Sequence, residues 1–132
     1  MNKPIIKLSK ISKSFNGNKK YIKVLQNVNL IINKGELISL TGPSGSGKST
    51  LLHLIALLDK PSSGEISFKG KKLTKANDNE KDLVRKKGIS IIYQQNNLLS
   101  DFTALENVMM PLLNNGYSLK NSSSRAKKIL TT

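Results

Sequence analysis

The chain has 132 residues, enough for one domain with a real core, and a net charge of +14 from 22 Lys and Arg against 8 Asp and Glu. The absence of cysteine excludes disulfides, thiolate zinc sites and thiol catalysis. No apolar run approaches the roughly 18 residues that span a bilayer, and the opening "MNKPIIKLSKISKSF" lacks the apolar stretch of a signal peptide, so a cytoplasmic address is expected.

Apolar residues alternate or run together in "PIIKLSKI" and in "KVLQNVNLII", which predicts two strands joined by a turn around Asn16-Gly17. "NKGELISLTG" adds a turn at Gly35 and a buried strand over 36–40. A helix beginning near Lys48 carries Leu51, Leu52, Leu54, Ile55 and Leu58 and stops before Pro61. "PSSGEISFKGKKL" reads as a hairpin with turns at Ser63-Gly64 and Lys69-Gly70. A polar helix over 78–86 follows, then "GISIIY", a continuous apolar run of the kind found inside parallel sheets. Loop-like sequence leads to "FTALENVMMPLL", a helix capped by Thr103 with Glu106 at the capping-box position. "SSSRAKKILTT" opens a last helix without a closing cap or strand. Neither internal repeats nor a linker marks a second domain.

The lysines gather in "FKGKKLTK" and "EKDLVRKKG", which suits nucleic acid or an anionic membrane surface. With no aromatic interleaved to stack on bases, a solvated lysine-rich face is the plainer reading and nucleic acid is not an expected partner.

Residues 42–50, "GPSGSGKST", hold the chemistry. They satisfy the phosphate-loop pattern and follow a strand-like run while opening a helix. Gly42, Gly45 and Gly47 permit backbone angles and close approaches that side chains block. The loop amides, with Pro43, Ser44 and Ser46 between the glycines, then form an anion nest above a helix N-terminus. Lys48 reaches the outer phosphates, Ser49 offers a hydroxyl to Mg²⁺, and Thr50 is the last of the expected nucleotide-binding residues. The alternative is an ordinary glycine-rich turn.

Two strand-like segments precede this loop, with Phe15 in the turn region between them. In that order, and in the spelling "GPSGSGKSTLL", "LDKPSSGEI" and "QQNNLLSDFTALENVMMPLL", the chain resembles the ATP-binding domain of ABC transporters, in the form typical of lipoprotein-releasing and macrolide-exporting systems. The resemblance implies an α/β P-loop fold of the ABC ATPase type, N-terminal part only. It would comprise an antiparallel β segment and P-loop core with the Gln-loop over 1–100, and the start of the helical subdomain over 101–132. It implies ATP and Mg²⁺ as ligands, Phe15 as the aromatic that stacks on adenine, and Gln94 as the Gln-loop residue that touches Mg²⁺ and the attacking water. It further implies membrane-spanning subunits and a second nucleotide-binding subunit as partners, at the cytoplasmic face of the membrane.

Three family features do not follow Gln94: the signature helix, the acidic strand that supplies a magnesium-binding Asp and a catalytic Glu, and the switch histidine. "LIALLD" imitates the acidic strand but continues the helix after the loop, with Lys60 where Glu belongs, and His53 lies on that same helix. The expectation is therefore a chain cut before the signature, marginally stable with an exposed sheet edge, that binds ATP without turning it over alone. A non-catalytic module that docks on membrane subunits, a basic nucleic-acid module and a small kinase are the other readings. The family usually has a glycine in or beside the pair occupied by Ala56 and Leu57, and the larger Leu57 is expected to loosen the packing of the helix.

Overall fold

A computed structural model describes residues 4–17 and 21–131. The chain divides into two compact units, Met1–Ser90 and Ile91–Thr132. In the first, strands β1 (Pro4–Asn16) and β2 (Tyr21–Asn33) precede helix α1 (Lys48–Ile55). Strands β3 (Ser63–Phe68) and β4 (Lys71–Lys72) and helix α2 (Asp78–Gly88) follow it. The second unit holds helices α3 (Ala104–Asn114) and α4 (Leu119–Leu130).

The four strands form one sheet in the order β2-β1-β3-β4, antiparallel throughout. Strict alternation would put Leu8 and Ile11 on opposite faces of β1. A bulge resolves this: the β1–β2 register shifts between Leu8 and Ile11, and Lys10 adopts φ 50° while its N–H donates to Asn29 Oδ1 at 2.9 Å. Both apolar residues thereby enter the core, where Leu25, Leu51, Leu54, Leu57, Ile66 and Leu73 join them. β3 runs close under the same bulge. A Cβ on Gly64 would stand 2.4 Å from the Lys10 carbonyl oxygen, so only glycine fits there. The expected Ser63-Gly64 turn is thus a strand in contact with β1, whereas the Lys69-Gly70 turn closes the β3–β4 hairpin as expected.

Two expected strands do not form. Residues 36–40 and 89–93 belong to no ladder, and Leu37 and Ile92 are fully exposed. Their apolar, β-branched composition favours strand, but a strand exists only through hydrogen bonds to a neighbour, and no described segment supplies one. Asn16 closes β1 and Gly17 follows it, while residues 18–20 of the expected turn lie outside the described residues.

The helices follow local signals. Asn77 caps α2 and Thr103 caps α3, each in a reciprocal capping box with Glu80 or Glu106. Ser118 caps α4, which begins three residues before the expected "SSSRAKKIL" stretch. In the second unit α3 packs against α4. Asn107 there laces the preceding loop to α3: its Oδ1 accepts the Leu99 N–H at 2.8 Å, and its Nδ2 donates to the Leu99, Phe102 and Thr103 carbonyls.

α1 ends at Ile55, earlier than the run of leucines implies. Leu57 takes φ 61° in the turn that follows and is only 5% exposed. A left-handed position of this kind favours glycine, and it falls in the Ala56–Leu57 pair, in or beside which a glycine is expected. Leu57 does not loosen the packing there, because the left-handed turn drives its side chain into the core. Arg85 Nη1 donates to its carbonyl at 2.6 Å, which ties α2 to the end of α1.

Candidate functional site

The loop before α1 has the shape its glycines demand. Gly42, Gly45 and Gly47 have φ of 150°, 80° and 90°, and the Ser46 N–H donates to the Pro43 carbonyl at 3.3 Å. Gly47 is the N-cap, and no side chain caps the helix it opens. The first amides of α1 are therefore left to a ligand or to water. A Cβ on Gly47 would press on Leu25 and Val24 side chains at 3.0 Å and on the Val24 carbonyl at 3.2 Å. The glycine thus lets the loop sit directly on β2.

Lys48 folds back over this nest, its Nζ donating to the Gly42 and Pro43 carbonyls at 2.8 and 2.7 Å. The ammonium is already at the mouth of the loop and would exchange carbonyl oxygens for phosphate oxygens. Ser49 stands exposed in the first turn, with Thr50 half-buried beside it. Positive-φ glycines, uncapped helix amides, a lysine at the loop and an exposed hydroxyl suit a polyphosphate with its magnesium ion.

Phe15 is not in the turn. It is the last residue but one of β1, paired with Ile22 of β2, and keeps 43% of its surface exposed. The ladder extends further than the apolar pattern because "SKSFN" pairs through its backbone, whatever its side chains. Lys13 lies on one side of the ring, Nζ 4.9 Å from its centroid. Lys13 carries no signal in the sequence: its partner Asp59 is distant in the chain, and lysine spacing does not encode that pairing.

Gln94 lies in the second unit, exposed in a bend before α3, with Gln95 beside it. The loop residues Gly42, Pro43, Ser44, Gly45, Ser46, Gly47, Lys48, Ser49 and Thr50 share the first unit with Phe15.

Every carboxylate among the described residues is engaged by a neighbour. Glu65, Asp78, Glu80 and Asp82 pair with Lys72, Lys60, Lys71 and Arg85, and Asp101 accepts the Ser100 hydroxyl at 3.4 Å. Glu36 accepts the backbone and side-chain amides of Asn33, which hold its pKa below the ordinary value. Thr103 does the same for Glu106, and Lys71 with the Asn77 N–H for Glu80. Burial pulls the Asp59 pKa up. Hydrogen bonds from Lys13 and the Lys60 N–H, with the charges of Lys13 and His53, outweigh it and leave the group below its ordinary value. A carboxylate held ionised in a structural pair is a poor general base for water. Asp59 belongs to the turn after α1 and not to an acidic strand.

Residues 25–132 match the family model described as ABC transporter. The lipoprotein-releasing system ATP-binding protein LolD of Wigglesworthia glossinidia brevipalpis is 44% identical over 129 residues, covering 98% of this chain and 56% of that protein. The LolD of Rickettsia conorii is 47% identical over 130 residues, covering 98% of this chain and 57% of the relative. The chain therefore spans about half the length of the relatives it matches. Among solved structures, the ATP-binding cassette MJ0796 in a dimeric post-hydrolysis state bound to ADP and Pi is similar, with a TM-score of 0.87 and 40% identity. That match covers 96% of this chain and 56% of the other.

Proposed function

The chain belongs to the ABC transporter family, and we propose that it forms the ATP-binding front of a subunit of the lipoprotein-releasing kind. The 42–50 loop carries this reading: the amides at the start of α1 and the Lys48 ammonium converge where a triphosphate would lie. The Ser49 hydroxyl would meet Mg²⁺, which when bound neutralises the outer phosphates, and Gln94 is read as the Gln-loop residue of the family. Phe15 offers its exposed ring to the base. Residues 1–100 serve as the P-loop core with the Gln-loop, and 101–132 as the start of the helical subdomain. The transporter family supports membrane subunits as partners, and the dimeric state of the MJ0796 cassette supports a second nucleotide-binding subunit. A place at the cytoplasmic face of the membrane belongs to the same reading; no described helix is long and apolar enough to cross a membrane.

This chain by itself binds Mg-ATP and does not turn it over: Glu36, Asp59, Glu80 and Glu106, held ionised by their hydrogen bonds, are poor general bases. Titration with Mg-ATP, beside Lys48→Ala and an assay of phosphate release, tests both parts. Saturable binding that weakens at least about tenfold in the variant, with no release, is expected. Absence of binding overturns the first part. Phosphate release that disappears in Lys48→Ala overturns the second.

A further inference from the structure

The base end of the site has a support that the phosphate loop does not explain. Lys13 lies two residues before Phe15 on β1, across an irregularity in the β1–β2 register, and its side chain reaches the ring. Its Nζ stands 4.9 Å from the Phe15 ring centroid while donating to Asp59 Oδ1 and to the Lys60 carbonyl, each at 2.7 Å. The Lys13 side chain is 11% exposed, unlike an ordinary solvated lysine. Its anchor is itself fixed. Asp59 Oδ1 also accepts the Lys60 N–H at 2.6 Å, and the Ser62 N–H donates to the Ser12 carbonyl at 2.8 Å. The Ser14 N–H donates to Ser62 Oγ at 3.0 Å. Residues 59–62 therefore form a strap laced along 12–14 of β1, and the strap follows the helix whose first turn contains Lys48 and Ser49. One helix thus has the phosphate cradle at its start and the anchor of the aromatic just past its end.

We propose that Lys13, anchored by Asp59, is a positioning residue for the base of the nucleotide. The ammonium covers one face of Phe15 and draws on the ring's π electrons, which fixes the ring plane. The other face is left to a purine, and a ring polarised by a cation behind it stacks better on an electron-rich base. The inference rests on the reading of Phe15 as the base platform and adds what orients it.

The experiment compares the affinities of Mg-ATP and Mg-tripolyphosphate, which has the charged chain without the base. It uses the full chain and its Phe15→Ala, Lys13→Met, Lys13→Arg and Asp59→Ala variants. Phe15→Ala is expected to weaken ATP roughly 5- to 150-fold, the range of base–aromatic stacking, and tripolyphosphate by less than about twofold. Lys13→Met and Asp59→Ala are expected to weaken ATP about three- to tenfold with the same selectivity. Lys13→Arg, which keeps a cation over the ring, restores most of the loss. If Lys13→Met weakens both ligands equally, Lys13 is only a tie between strand and strap and the proposal fails. If it weakens neither, the proposal fails while a loss in Phe15→Ala preserves the base platform. If Phe15→Ala leaves the ATP-to-tripolyphosphate ratio unchanged, the platform itself is wrong. Should Lys13→Met not fold, Asp59→Ala carries the same comparison, with tripolyphosphate affinity reporting an intact cradle.

Discussion

Replacing Leu57 with glycine sets two opposing terms against each other. An L-residue at φ 61° bears roughly 1–2 kcal/mol of left-handed strain, which glycine would relieve. Leu57 is also 5% exposed within the core cluster. Truncating a buried leucine to alanine loses about 2–5 kcal/mol, cavity included, and glycine adds roughly 0.5–1 kcal/mol of backbone freedom in the unfolded chain. Burial wins, and Leu57→Gly should destabilise by about 2–3 kcal/mol. The Arg85 bond to the Leu57 carbonyl survives in every variant, since its acceptor is backbone. Leu57→Ala isolates the terms: it loses the burial yet keeps the strain, so it should fall below Leu57→Gly by about 1 kcal/mol. Urea unfolding followed by circular dichroism measures the order, wild type above glycine above alanine, with the glycine midpoint lowered by roughly 1 M or more. A glycine variant as stable as wild type, or more stable, would refute the reasoning. Strain would then outweigh packing, and Leu57 would be an unrelieved defect in a glycine position.

The loop glycines separate strain from crowding. Gly45→Ala meets no atom within 4 Å and should lose only the roughly 1–2 kcal/mol of positive φ, whereas Gly47→Ala must also displace Val24 and Leu25 and should lose about 1–3 kcal/mol more by thermal unfolding; equal losses would mean the loop lifts freely off β2. The Asp59 pKa lies below its ordinary value, so its pair with Lys13 contributes stability above about pH 4 that is lost as pH falls through the lowered folded value. Acid unfolding should accordingly flatten below about pH 4 in Asp59→Asn relative to wild type, and parallel curves would show the pair adds nothing. Thr103→Ala removes the cap of α3 and should lower stability by about 0.5–2 kcal/mol, read as an earlier loss of helical circular dichroism; an unchanged melt would mean the helix start frays in the native state.

What the sequence determined by itself is local. The conformation of the 42–50 loop was legible because its glycines, lysine and serine are neighbours along the chain, and their backbone demands are met within a few residues. The Thr103–Glu106 box was legible for the same reason, since donor and acceptor sit three residues apart. Elements whose stability depends on distant partners were not. Residues 36–40 and 89–93 have the composition of buried strands, yet their state depends on a ladder partner that composition does not encode. The bulge at Lys10, the glycine contact of β3 and the inward turn of Leu57 arise only when β1, β3 and the end of α1 compete for one core. The tertiary structure alone decided the union of Lys13, Phe15 and Asp59. It rests on a hydrogen bond between residues 46 positions apart, and the entropy of closing that loop is repaid only when strand and strap are already folded together.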